Sequence, residues 1–262
     1  MADADALLRD GDVAGARSAL VDIVRSQPGN EQARMFLFQL LALNGEWDKA
    51  ERQLDALVQV SSEAQMLGVT YRQAIAAERV RAEVFAGKAE MNLLVGKDGW
   101  AEGIARGISL IAKGDVAGGM AARDEAFDIA PDTPGKLNGE EFDWIADADG
   151  RFGPTFEIII SGRYGIMPFD HVKSITSQGP QDLRDTIWYP VEIAFQSGQS
   201  AAAFLPARYP GSEASPDDAI RLARKTEWAD QEWGPQGIGQ RLWTTSDGAD
   251  SGLLDLRNIE FA

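Results

Sequence analysis

A recurring hexapeptide that begins with Gly-Asp or Gly-Glu constrains this chain more than any other feature. Its copies start at Gly11, Gly45 and Gly114; the second follows the first by 34 residues and the third follows the second by 69. A period of about 34 residues is typical of stacked helical hairpins, each of which buries its apolar face only against its neighbours. The pattern in the first half of the chain therefore predicts an array of helical repeats, an architecture that usually binds another protein.

The repeats can be tested further, because tetratricopeptide units carry a proline twelve residues after the small residue of the turn. Ala16 is followed by Pro28 and Gly119 by Pro131, whereas the second copy has Ser62 at this position. The array is therefore predicted to be tetratricopeptide-like and degenerate.

Apolar periodicity supports the helices independently. Ala33, Phe36, Leu37, Leu40 and Leu41 keep the i, i+3, i+4, i+7, i+8 spacing of one helix face. Ser62 and Gln65 predict a capping box at the start of the fifth helix. The predicted helices lie near residues 2–10, 12–26, 31–43, 46–59, 63–86, 99–113 and 115–129.

Short β-rich runs replace this periodicity after residues 131–135, Pro-Asp-Thr-Pro-Gly. Turns are expected at 161–162 and 197–199, and one short helix after Ser215-Pro216. The fold class is thus α+β, with a helical-repeat domain over 1–130 and a mainly antiparallel β domain, a small barrel or a curled sheet, over 131–262. The predicted strands cover 156–160, 164–169, 172–176, 186–195, 201–205, 240–245 and 253–259.

Composition excludes several function classes. The chain has no cysteine, so disulfides and thiolate chemistry are absent, and its net charge of −16 disfavours nucleic acid and anionic membranes as partners. It has no apolar run of the roughly 20 residues that span a bilayer, and its acidic start does not resemble a secretory leader. A cytoplasmic, soluble protein is expected, and a basic or amphipathic protein segment suits its charge as a partner.

Catalytic and cofactor motifs are sparse, and we predict neither a catalytic residue nor a cofactor. The single histidine, His171, has no nucleophile motif beside it and suits a hydrogen-bonded position at a strand edge. Asp143, Asp147 and Asp149 before Gly150 do not match a calcium loop, because positions 1 and 12 would be Ile145 and Phe156.

The glycine-rich run 234–239 has neither the Lys-Ser/Thr of a phosphate-binding loop nor the third glycine of a dinucleotide fingerprint. A turn before the strand that starts near Gln240 is expected there instead.

Several phrases of the sequence resemble the TagJ/ImpE accessory proteins of bacterial type VI secretion systems, and the resemblance covers essentially the whole chain. They are Glu141 to Asp149 (EFDWIADAD), Arg151 to Glu157 (RFGPTFE), Gly162 to Tyr164 with Pro168-Phe169, Asp182 to Asp185 with Trp188, Pro206 to Glu213 (PARYPGSE), Ala223 to Trp228, Gly239 to Leu242 and Leu254 to Arg257. The helical half, with Leu7 to Asp12 at its start, also fits.

This resemblance implies a non-enzymatic adaptor that binds a helix near the N-terminus of the small sheath subunit. Some members of this family are also linked to the AAA+ ATPase that disassembles contracted sheaths, so the resemblance implies this ATPase as a second partner. An amphipathic partner helix would place its apolar face in a groove and its charges against an acidic rim. The candidate anchors are Phe36, Phe38 and Trp47 in the repeats, or Arg208, Tyr209 and Glu213 in the β domain.

Two other functions stay open. The β domain could be a hydrolase or small-ligand module that the repeats recruit to a protein, which predicts a concave pocket with convergent polar groups. The repeats could also act as a general chaperone that binds many unrelated helices. The adaptor instead predicts a shallow apolar groove.

Overall fold

The computed structural model describes residues 2–61, 64–96 and 99–262. All predicted helices of the first half are confirmed to within two residues at each end. The capping box expected at Ser62 lies outside the described residues. The helices are α1 (Ala2–Arg9), α2 (Val13–Ser26), α3 (Glu31–Leu43), α4 (Trp47–Val60), α5 (Ala64–Phe85), α6 (Ala101–Ala112) and α7 (Val116–Ile129).

The repeated hexapeptide marks the turn between paired helices. Gly11, Gly45 and Gly114 all adopt positive φ, at 86°, 68° and 89°, a conformation that glycine takes without steric cost. In the first and third copies the next residue caps the following helix: Asp12 accepts from the Gly15 amide at 2.7 Å and Asp115 from the Gly118 amide at 3.0 Å. The motif therefore ends one helix and begins the next.

Helices α6 and α7 contact each other through glycines that lie on their facing sides. A Cβ atom on Gly107 would lie 2.8 Å from the Gly119 carbonyl oxygen and 3.2 Å from the Arg123 Cβ, closer than side chains tolerate. A Cβ atom on Gly119 would meet Ile111 at 2.6 Å. These positions require glycine for packing rather than for backbone conformation.

The Gly107→Ala variant tests this packing, because helix propensity and the backbone clash would change the free energy of unfolding in opposite directions. Helix propensity alone would raise the free energy of unfolding by about 1 kcal/mol, since alanine is the better helix former. We expect the clash with the backbone to dominate and the variant to lose roughly 1–2 kcal/mol, as overpacked cores do. Urea unfolding measures the change, and Ala121→Gly at an exposed site of α7 calibrates the propensity effect. A stabilised Gly107→Ala protein would contradict the prediction.

The second half is built on an open antiparallel sheet of eight strands in the order β2-β1-β13-β6-β7-β8-β4-β5. Within the described residues β2 and β5 are its two ends and do not pair with each other, so the barrel alternative is wrong. A bridge between Leu93 and Ile166 covers the β5 edge. Two smaller sheets, β10-β9 and β12-β11-β3, and a short helix, α8 (Asp218–Arg221), complete this half.

The bounds of the strands are β1 (Gly135–Leu137), β2 (Glu140–Phe142), β3 (Ile145–Asp147), β4 (Thr155–Ile160), β5 (Arg163–Pro168), β6 (Val172–Thr176), β7 (Trp188–Phe195), β8 (Ser200–Pro206), β9 (Thr226–Gln231), β10 (Gly234–Gly239), β11 (Leu242–Thr245), β12 (Asp250–Gly252) and β13 (Asn258–Phe261).

The turn predicted at 234–239 is wrong, because this run forms strand β10. A Cβ atom on Gly237 would lie 2.3 Å from the Tyr209 ring. Glycine at this position lets the strand approach the ring closely. In the sequence, the glycines of this run instead indicate turn residues.

One apolar cluster contains side chains from both halves of the chain. Phe152, Ile159, Ile166 and Trp188 of the β-rich half pack in the same cluster as the buried faces of the helices. The buried members of a second cluster, which include Phe156, Phe169 and Trp243, all come from the sheet half, and Leu94 and Val95 pack against them. The division at residue 130 into two separately folding domains stays a prediction, which expression of 1–130 and 131–262 alone would test. Among the described residues, no helix has the length and apolar character required to cross a membrane.

Candidate protein-binding groove

An apolar groove with a volume of about 760 Å³ lies where the repeat helices meet the β-rich half. Its floor is apolar and its rim carries carboxylates and amides. The lining residues are Asp5, Leu8, Glu31, Gln32, Met35, Phe36, Gln39, Leu57, Ser61, Ala64, Leu67, Gln181, Asp182 and Leu183.

Helix α3 supplies the centre of the groove through a face that carries both apolar and amide side chains. Gln32, Met35, Phe36 and Gln39 follow the i, i+3, i+4, i+7 spacing, so they share one face of the helix. The stripe that includes Ala33, Leu37 and the following leucines faces the core of the repeats instead. Phe36 belongs to the core cluster as well, so α3 presents Met35 and a small part of Phe36 to the groove while its other side packs inside the repeats.

The segment from Gln181 to Asp185 forms one wall and is held rigidly by its own hydrogen bonds. Asp182 and Asp185 make a capping box around the short 3₁₀ helix that begins at Leu183, and the Asp185 carboxylate accepts from the Gln181 amide at 2.6 Å. Arg184 pairs with Asp182, lies 4.9 Å from the Tyr71 ring centroid, and approaches the Met35 sulfur at 3.9 Å. The wall is therefore preorganised, which lowers the entropic cost of binding.

The rim is negative. Asp182 pairs with Arg184, but Asp5 and Glu31 form no salt bridge with any residue that the structure describes. Because both carboxylates are exposed beside an apolar floor, they favour a ligand that combines apolar and basic side chains.

The three predicted anchors of the repeats occupy different places. Phe36 lies in the groove, with 8% of its surface exposed. Phe38 is fully buried in the core, where its ring contacts Tyr71 edge to face at 5.7 Å. Trp47 is half-buried and packs on Trp188 at 6.0 Å between ring centroids. A partner that docks without rearranging the protein can reach Phe36 but cannot reach Phe38.

The predicted anchors of the β domain are mostly structural. Arg208 is buried and donates to the Leu43 carbonyl at the end of α3 and to the Arg221 carbonyl, and burial lowers its pKa to about 10. Tyr209 is also buried, and its hydroxyl donates to Asp147 at 3.1 Å. Glu213 is half-buried beside Gly45. Arg208 and Glu213 contact the helical half, whereas Tyr209 is held within the β-rich half. Their role in partner binding stays a prediction.

A buried cluster of charged groups joins the helices to the sheet. Arg81 of α5 donates to both carboxylate oxygens of Glu157, at 2.8 and 3.0 Å, and Glu157 also pairs with Arg241 and accepts from the Tyr164 hydroxyl. Arg241 pairs in turn with Asp147. None of these five side chains lines the groove. They are paired with one another beneath the surface, unlike the convergent polar pocket that the hydrolase alternative predicts.

Asp147 is expected to make stability fall as pH rises. Burial raises the pKa of Asp147 to about 6, and this effect exceeds the opposing attraction of Arg241. Between about pH 4 and 6 the folded protein holds a proton that the unfolded chain releases, so the free energy of unfolding declines, on the order of 1–3 kcal/mol. Urea unfolding across that range, compared with Asp147→Asn, measures this contribution. Equal pH slopes in the two proteins would contradict it.

Three other residues are of interest from the sequence: His171, Asp149 and Asp143. The structure places each of them in a different setting. His171 ends a 3₁₀ helix just before β6, and its side chain is 45% exposed beside Asp170. Asp149 pairs with Arg151 and accepts from the Gly237 amide at 2.9 Å. Asp143 is exposed. Across residues 2–61, 64–96 and 99–262, no three acidic or histidine side chains are grouped closely enough to hold a metal ion.

Comparison with known proteins gives two family matches. Residues 139–260 match the family described as ImpE protein, and residues 7–67 match a tetratricopeptide repeat family. Among solved structures, the crystal structure of protein VPA1032 from Vibrio parahaemolyticus has the same fold. Its TM-score is 0.86 at 20% sequence identity, over 99% of this chain and 97% of that one.

Stacked helical hairpins joined to an open antiparallel sheet define a helical-repeat protein with a β-rich second half. The type VI secretion system accessory component TagJ of Pseudomonas aeruginosa PAO1 is 42% identical over 258 residues, which cover 98% of this chain and 90% of that protein. The chain therefore belongs to the TagJ/ImpE family of type VI secretion accessory components.

Proposed function

We propose that this protein is a non-enzymatic, cytoplasmic adaptor that binds a helix of the small sheath subunit of a type VI secretion system in the groove beside α3. Family membership supports the secretion system as its setting. The observation that carries the binding mode is the apolar floor around Met35 and Phe36, bordered by the exposed carboxylates of Asp5 and Glu31. An amphipathic helix with basic flanks matches both features.

The apolar side chains that line the groove include those of Met35, Phe36 and Leu183. On this proposal they would contact the apolar face of the partner helix, whose side chains recur at i, i+3 or i+4, and i+7. Basic residues that flank this face would lie near Asp5 and Glu31. Because these carboxylates are exposed, they would contribute to the rate of association and to specificity more than to affinity.

The first test is a titration of the full chain into a fluorescently labelled peptide from the N-terminal helix of the small sheath subunit of the same bacterium. A scrambled peptide of equal composition is the control. Saturable binding of the native peptide alone is expected, with an affinity that falls as salt rises. Equal binding of both peptides, or binding of neither, would refute the proposal. Binding of many unrelated amphipathic helices would support a general chaperone instead.

We further propose that this protein links the sheath to the AAA+ ATPase that disassembles contracted sheaths. The test is cosedimentation of the purified ATPase with this protein, with and without a saturating amount of the sheath peptide. An adaptor should bind the ATPase in both cases, because the two partners would use different surfaces. Failure to bind in either case would remove the ATPase from the proposal without affecting the sheath helix.

A further inference from the structure

The β9–β10 hairpin carries an open strand edge that neither the groove nor the core uses. Its strands pair in register from Thr226 opposite Gly239 to Gln231 opposite Gly234, and a two-residue turn joins them. In such a ladder the main-chain groups of alternate residues face the partner strand and those between face outward. The closing pair of the hairpin, Gln231 and Gly234, is a hydrogen-bonded one.

The outer edge of β10 is closed by the rest of the protein. The Gly237 amide donates to Asp149 at 2.9 Å and the Gly239 amide donates to the Ser212 hydroxyl at 2.8 Å. The Pro235 carbonyl accepts from the Gly150 amide at 2.8 Å. These outward groups fix the hairpin against the body, and they confirm that odd-numbered residues of β10 face away from β9.

The outer edge of β9 is open. By the same alternation, the main chain of Trp228 and Asp230 faces outward, and within the described part of the chain its N–H and C=O groups make no hydrogen bond. Residues 227–231 are all exposed. Two donors and two acceptors thus form a row, in the geometry that an additional strand requires.

The side chains of β9 indicate what kind of strand would fit. The Trp228 ring packs on Tyr209 at 5.5 Å between centroids and keeps 38% of its surface exposed, so it offers an apolar contact on a rigid support. Glu227 and Asp230 on the strand and Glu232 in the turn are acidic. Lys225, the basic residue next to β9, is already paired with Asp217 and Glu227. A second copy of this edge would bring like charges together and is disfavoured.

We propose that β9 binds an extended, basic segment of a partner protein as an added strand. The main-chain groups of Trp228 and Asp230 would hydrogen-bond to the segment, Trp228 would cover an apolar side chain, and Asp230 would face a basic residue. The edge shares no residue with the groove, so the protein can hold a helix at one surface and an extended segment at the other.

The test uses the full chain and a labelled peptide of alternating lysine and valine. The matched control is the same peptide N-methylated at alternate residues, which keeps the charge but removes main-chain donors. We expect the unmodified peptide to bind at least about tenfold more tightly, equivalent to about 1.4 kcal/mol. Equal affinity of the two peptides, or binding of neither, would overturn the proposal, because charge alone would then account for any association.

Two variants of one residue separate hydrogen bonding from charge. Asp230→Asn and Asp230→Pro both remove the carboxylate, but only proline removes the outward N–H, and at this position it leaves the β9–β10 hydrogen bonds intact. Asp230→Pro should bind the peptide at least about tenfold more weakly than Asp230→Asn. Equal affinity in the two variants would overturn the proposal.

Amide hydrogen exchange on the unaltered protein provides a measurement that does not depend on the variants. Slower exchange at Trp228 and Asp230 on adding the peptide is expected, and unchanged exchange at both would contradict strand addition. Binding of the sheath helix should be unaffected by either variant, so failure here is distinguishable from failure of the groove.

Discussion

Replacing Glu157 with glutamine is expected to lower the free energy of unfolding by about 3–5 kcal/mol, the usual consequence of removing one member of a buried ion pair. Glu157 is 1% exposed and neutralises Arg81 and Arg241, which are themselves buried. Glutamine keeps the size of the side chain but leaves these guanidinium groups with less compensating charge. The loss should appear as a lower urea midpoint with little change in slope.

Glu192→Gln provides the matched control. It makes the same chemical change on strand β7, at an exposed position. Surface substitutions of this kind usually change stability by no more than about 0.5 kcal/mol. If the two variants lost equal stability, the buried cluster would not be what holds Arg81 of α5 against the sheet.

Replacing Met35 with lysine is expected to weaken binding of the sheath helix at least about 30-fold, which corresponds to about 2 kcal/mol and to the loss of an interface hot spot. Met35 is half-buried at the centre of the groove, and its sulfur lies 3.9 Å from a nitrogen of Arg184. A lysine there would place a second positive charge beside Arg184 and would disrupt the apolar floor. It would also repel the basic side chains that the rim favours.

Met66→Lys controls for the charge change itself. Met66 is 76% exposed on α5 and does not line the groove. This variant should therefore bind the helix within about twofold of the unaltered protein, as surface substitutions usually do. Unfolding curves of both variants show whether they remain folded. Equal losses of affinity would mean that the helix binds elsewhere.

The groove and the buried cluster both depend on contacts between the two halves of the chain. Leu183 and Asp182 come from the β-rich half but complete a site whose floor is formed by α3. Arg81 and Glu157 fix the two halves at one relative position. A wall that moved relative to its floor would have to be ordered on binding, which would reduce affinity.

Local patterns predicted the elements well where one face of each element is buried. The seven helices followed from the 3.6-residue period and from the Gly-Asp turns, and strands such as β6 (Val172–Thr176) followed from β-branched runs between turn residues. The short strands β1, β2, β3 and β12 were missed, because three residues carry too little periodicity to detect. Strand β9 was missed because nearly all of its residues are exposed and show no apolar alternation. The strand predicted over 253–259 is wrong at its start, where Leu253–Asp255 form a 3₁₀ helix and the strand begins only at Asn258. Strand β10 was missed because its glycines serve close packing against Tyr209.

The sequence by itself determined the repeat array, the position at which helices give way to strands, and the family, since each depends on local spacing or on matched phrases. Only the tertiary structure decided which candidates are accessible. Phe36 and Phe38 stand two residues apart on one helix, yet one lies in the groove and the other is buried against Tyr71. Arg208 and Tyr209 are typical interface residues, but they are buried by elements distant in sequence. The physical reason is that burial depends on what packs against a residue, and such contacts join segments distant in sequence: Arg208 donates to the Leu43 carbonyl, 165 positions away.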